Sequence, residues 1–201
     1  PMDQILKLPR KISAFCGIPN SPEFDDVLWN ALRAYTINSI GWPQMMRWMG
    51  GCSGAFPSPV IITSSTRHHS WSKAAGVCGF GHRQLLDVHV DTNARMRLGE
   101  PWKHPPYWMK KSRKPETLCD RLDYCLFYEV PVSMVVVVAG TPEEGAIDPI
   151  EEILEIREKY RTKGLDFSIH ADATWGGYLT TAIRKDYQLS EYVDSVQKVC
   201  D

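Results

Sequence analysis

The stretch "FSIHADATWGG" (167–177) carries an apolar run up to His170 and Asp172 and then breaks into Trp175 and two glycines. A carboxylate flanked by Ala171 and Ala173, and followed by Gly176 and Gly177, leaves room for a flat ligand whose cationic edge needs an anion. The same aspartate is equally suited to capping a following helix. His68 and His69 follow a second apolar run, "PVIITSS" (59–65). An imidazole there can meet a ligand or be satisfied by nearby backbone groups. A third arrangement uses metal: His170 and Asp172 stand at i and i+2 on one strand face, and His68 or His69 can complete three ligands around an activated water, as in a metal-dependent hydrolase.

These groups meet only if a scaffold brings them together. "VPVSMVVVVAG" (130–140) has the continuous β-branched run of a parallel strand covered on both faces. A helix follows, with Asp148 expected at the N-cap, Pro149 at the first helical position and Glu151 completing a capping box. Ile150, Ile153, Leu154 and Tyr160 form its apolar stripe, Gly164 its stop, and "LDFSIHAD" (165–172) the next strand. Upstream, strands are expected over 59–65 and 85–91, and helices over 70–80 and 116–128. Alternating strands and helices predict an α/β fold with a mostly parallel sheet and flanking helices. Ligands of such sheets sit beyond the carboxyl ends of the strands, where Thr63 to His69, Asp91, Gly140 to Thr141 and His170 to Asp172 fall. Residues 1–58 read as an irregular or divergent N-terminal segment and 59–201 as the organised region. The stretches 41–58 and 101–116 show no clean period, the second reading as a basic, solvated connector.

The whole chain narrows the choice of partner. Its 201 residues carry 23 basic and 24 acidic side chains, a formal net charge of −1, so there is no global field to draw nucleic acid or an anionic membrane. The N-terminal residues lack an apolar signal core, and the expectation is a soluble, cytoplasmic protein acting on a small molecule. Six cysteines without a paired spacing read as buried free thiols.

"HADATWGGY" resembles the aspartate motif of the group II pyridoxal-phosphate (PLP) decarboxylases, the family of aromatic amino acid, tyrosine and glutamate decarboxylases. "VVVVAGTPEEGAIDPIEEILEIREKY", "IITSSTRHHSWSKAAGVCGFG" and "VHVDTNARM" are similar to further segments of that family, in order, over about residues 59 to 185. The resemblance implies part of the large domain of a fold type I PLP-dependent transferase, a carboxy-lyase acting on an amino acid, and a homodimer. It assigns Asp172 to the pyridine nitrogen of PLP, His68 to a stack on the ring face, Thr174 to the opposite face, and Thr141 to a position near the cofactor. Lys73 and Arg95 match family positions and are given structural roles, and no metal is required.

Two departures temper the expected activity. The family's cofactor lysine sits in a His-Lys pair beyond the aspartate motif, whereas Lys185 and Lys198, the lysines after Asp172, follow no histidine. Where the family carries its phosphate-binding glycine loop, this sequence reads "CGIPNSPEFDD" (16–26), with Glu23, Asp25 and Asp26 set to repel a phosphate. The expectation is a fragment with poor unaided turnover. The alternatives are a catalytically silent remnant or interaction protein and, behind these, the metal-dependent hydrolase.

Overall fold

The run of valines in 130–140 becomes one of the two inner strands of a four-stranded parallel sheet. The computed structural model describes residues 7–18, 21–48, 57–101 and 116–178. Strands β1 (Val60–Ser64), β2 (Leu85–Val88), β3 (Val132–Val138) and β4 (Ser168–Asp172) lie in the order β2-β1-β3-β4. All three pairings are parallel. The expectations over 101–116, at Lys185 and Lys198, and at Cys52 and Cys200 lie largely or wholly outside the described residues.

Helices cover both faces of the sheet. Ile62, Val135 and Val137 point to one face, where they pack with Leu118 and Leu122 of α6 (Leu118–Phe127) and with Ile153 and Tyr160 of α7 (Ile150–Arg161). Ile61 and Val136 point to the other face, against Ala75 of α5 (Ser70–Val77). Valine suits a strand buried on both sides because its branched side chain is already restricted at χ1. Tyr160 joins the two helices on the first face, its hydroxyl donating to the Cys119 carbonyl at 3.2 Å. α6 opens with a capping box in which Thr117 accepts from the Asp120 amide and Asp120 accepts from the Thr117 amide.

The start of α7 differs from expectation. Asp148 does not cap it; the N-cap is Pro149, with no side-chain hydrogen bond. The Asp148 carboxylate turns inward and accepts from the amides of Met96 and Val138, both at 2.7 Å. Two buried amides are a stronger claim on a carboxylate than helix amides that water can reach. Glu151 and Glu152 in the first turn meet the positive end of the helix dipole instead. Gly164 follows the helix with φ +91°, and the chain reverses as Leu165 donates its amide to the Tyr160 carbonyl at 3.0 Å.

Between residues 7 and 48 the described chain is helical: α1 (Leu8–Cys16), α2 (Pro22–Ala34), α3 (Ile37–Ile40) and α4 (Trp42–Trp48). Within the aperiodic stretch 41–58, Trp42–Trp48 is therefore helix, docked by a hydrogen bond from the Trp42 amide to the Gly79 carbonyl at 2.8 Å. Cys119 and Cys125 are buried thiols as expected, but Cys16 and Cys78 are exposed. No helix among the described residues is long and apolar enough to cross a membrane.

Candidate functional site

Strand register places the site. Pairing of Met134 with Ser168, Val136 with His170 and Val138 with Asp172 puts these three polar residues of β4 on the face that α5 covers. Ile169 and Ala171 point the other way into the larger core. The run 168–172 thus alternates polar and apolar with period two, as a strand at the edge of the described sheet should.

Asp172 is held by groups from two places in the chain. Trp71, in the first turn of α5, donates its indole N–H to Oδ2 at 2.8 Å, and the Thr174 hydroxyl donates to Oδ1 at 2.9 Å. Partial burial alone works to raise its pKa. The hydrogen bonds from Trp71 and Thr174, with a contribution from the neighbouring His170, outweigh it and hold the carboxyl below its ordinary value. Asp172 is thus an anion poised at a strand end. The His170 ring is exposed and stands edge-on to the Trp71 ring, 5.3 Å between centroids at 70°.

His68 reaches the same place from the end of β1. Its Nδ1 lies 2.8 Å from the Ser70 hydroxyl and 3.3 Å from the Ser70 amide nitrogen, which donates to it. The His69 ring packs beside it at 4.0 Å. His68, Asp172 and Thr174 line one narrow cleft of about 90 Å³, closed by Gly140, Pro142 and Trp175. It adjoins a broader cleft of about 540 Å³ along His170 to Thr174 and another of about 450 Å³ between His68 and Thr141. The narrow cleft alone is smaller than a usual small-molecule site of roughly 300–1,000 Å³, whereas the adjoining clefts reach that size.

Of the four residues expected at the site, three share the narrow cleft, and Thr141 lines the neighbouring one that His68 also borders. The Thr141 hydroxyl is used locally: it donates to Glu144 Oε2 and accepts the Ala146 amide, both at 3.0 Å. Arg95 is paired with Asp91 at 3.2 Å in the turn after β2. Lys73 is exposed on α5. Trp71 is the partner of Asp172 that the sequence did not reveal; its place three residues after His68, in the first turn of a helix at a strand end, was the available signal.

The metal arrangement finds no counterpart here. Among the described residues no group of three or more His, Cys, Asp or Glu side chains could hold a metal ion. The Asp172 oxygens already accept from Trp71 and Thr174. At the start of α2, Ser21 accepts the Phe24 amide at 3.2 Å, and Glu23 and Asp25 occupy the first turn. That helix start is served by its own side chains. The carboxylate and imidazole therefore suit the cationic ring of PLP, while this helix start does not suit its phosphate.

No family model matches the sequence. The L-tyrosine decarboxylase of Enterococcus faecium is 32% identical over 117 residues, which are 58% of this chain and 16% of that protein. The L-tyrosine decarboxylase of Levilactobacillus brevis is 32% identical over 139 residues, 69% of this chain and 19% of that protein. The chain thus spans less than a fifth of the length of these relatives. Among solved structures, mouse CSAD matches with a TM-score of 0.52 at 23% identity, covering 77% of this chain and 28% of that one. Over about 60–70% of its length the chain resembles group II PLP-dependent decarboxylases, and its architecture is part of a fold type I large domain.

Proposed function

We propose that this chain is part of a PLP-dependent amino acid decarboxylase, a carboxy-lyase acting on a small amino acid in the cytoplasm as a homodimer. One observation carries the reading: an Asp172 carboxylate kept anionic by Trp71 and Thr174 faces a cleft bounded by His68, in a chain similar to amino acid decarboxylases. In this reading Asp172 would pair with the protonated ring nitrogen, His68 and Thr174 would hold the ring from either side, and Thr141 would shape the adjoining wall. When bound, PLP supplies an electron sink for the pair left as the substrate's carboxylate departs as carbon dioxide. Asp172 keeps the ring nitrogen cationic, and His68 with Trp175 narrows the cleft against water.

The test is titration of the purified chain with PLP, followed by absorbance, and assay for amine from aromatic and acidic amino acids. Asp172→Ala is expected to weaken PLP binding by roughly 10- to 100-fold, the usual scale for losing a hydrogen bond to a charged group. Equal spectra for wild type and Asp172→Ala would overturn the reading.

A second reading, a catalytically silent protein that binds a partner, is favoured by the acidic, self-capped start of α2. It predicts that pyridoxal and PLP bind alike, because no cradle distinguishes the phosphate. A preference for PLP by tenfold or more removes it.

A further inference from the structure

We propose that Trp71 is a positioning residue for Asp172: its indole N–H fixes one carboxylate oxygen, so that the aspartate meets a cationic ring edge already oriented. The inference rests on the reading of Asp172 as the ring-nitrogen partner and adds a residue to it.

The geometry supports a dedicated contact. Trp71 and Asp172 are 101 positions apart, yet the N–H···O distance is 2.8 Å, the length of a charge-assisted bond. α5 is anchored by Ala75, which belongs to one buried cluster with Ile61 and Val136, and the Trp71 ring packs against that same cluster. Its ring edge is set by His170 two residues before Asp172. Without the indole, Asp172 would be the last residue of a strand at the edge of the described sheet, with Thr174 as its one side-chain donor among the described residues. With it, each oxygen has a side-chain donor of its own, and the carboxylate lines the cleft that His68 also lines. Among the described residues the titratable groups that share a cleft with Asp172 are His170 on its own strand, His68 before α5 and Tyr178 after β4, and none of the hydrogen bonds described above runs from them to Asp172. The Trp71 bond heads the interactions that lower the Asp172 pKa against its desolvation.

The experiment follows the Asp172 carboxyl by NMR in the chain without cofactor, in wild type and Trp71→Phe, with Asp172→Asn used for assignment. Phenylalanine keeps the ring against His170 and removes the N–H. The Asp172 midpoint is expected to rise by about half a unit to one unit in Trp71→Phe, the scale of one lost hydrogen bond to a charged form. In wild type the Trp71 indole N–H resonance is expected to move with the Asp172 midpoint and to stay still in Asp172→Asn; this measurement decides the matter even where Trp71→Phe folds poorly. An unchanged midpoint, or an indole resonance indifferent to Asp172, overturns the proposal. Added PLP should bind Trp71→Phe several-fold more weakly than wild type; a shifted midpoint with equal PLP affinity overturns the positioning role toward the cofactor. If wild type itself takes up no PLP, the decarboxylase reading fails, and the two cofactor-free measurements still decide whether Trp71 sets Asp172.

Discussion

Two aspartates at this strand end do opposite kinds of work, and their partners explain why. Asp148 is buried, its pKa raised by that burial despite the amides of Val138 and Met96, and its role is to satisfy those amides. Asp148→Ala leaves both without an acceptor and should cost about 2–4 kcal/mol in urea unfolding, with Asp148→Asn closer to wild type because one oxygen remains. Asp172 is half-exposed and its pKa is lowered, so its pH dependence has the reverse sign. Its ionised form is favoured by folding, so its contribution is fully present above the ordinary carboxylate value of 3.8 and is lost as pH falls through its depressed folded value. The stability difference between wild type and Asp172→Asn, read from urea midpoints, should therefore narrow below about pH 4. Sequence alone distinguished these residues poorly. An aspartate before a proline looks like an N-cap whether it caps or turns inward, and the amide of Met96 lies 52 positions away. Trp71 was hidden for the same reason: its partner is across the fold, and a lone tryptophan on a short helix carries no period that marks it.

At the scale of elements, the site depends on how closely the ends of β3 and β4 approach. Gly140 follows β3 with φ +100°, and a Cβ there would stand 2.9 Å from the Gly176 amide nitrogen and 3.0 Å from its Cα, both backbone atoms that cannot swing aside. Gly140→Ala should lower stability by about 1–3 kcal/mol, read as a fall in thermal midpoint, and should widen the cleft that Gly140 and Trp175 close. The strands and helices from residue 59 onward were legible because β-branched runs and 3.6-residue stripes are local signals, and the parallel order follows from their alternation. The helices between residues 7 and 48 were less so. α2 has no buried residue, so the inward stripe that usually betrays a helix is not spent on this chain's own core.

At the scale of the whole molecule, that same helix bears on association. Phe15, Val27, Tyr35, Trp42 and Trp48 are exposed along the N-terminal helices, and β2 and β4 are edges of the described sheet. Exposed apolar side chains of this size and unpaired strand edges both favour a second surface over water. Either route gives a particle heavier than the 22.9 kDa chain, but they respond differently to substitution. If the helical face is the contact, Val27→Lys and Tyr35→Lys together place charge where burial is needed and should return the mass to that of one chain. If a strand edge is the contact, the same substitutions should leave it unchanged, because backbone pairing is indifferent to α2. Light scattering across a concentration series is expected to show a mass above 22.9 kDa that rises with concentration and falls in the double variant. A constant single-chain mass throughout the series would remove the homodimer from the proposed function while leaving the Asp172 cleft, which is built within one chain, untouched.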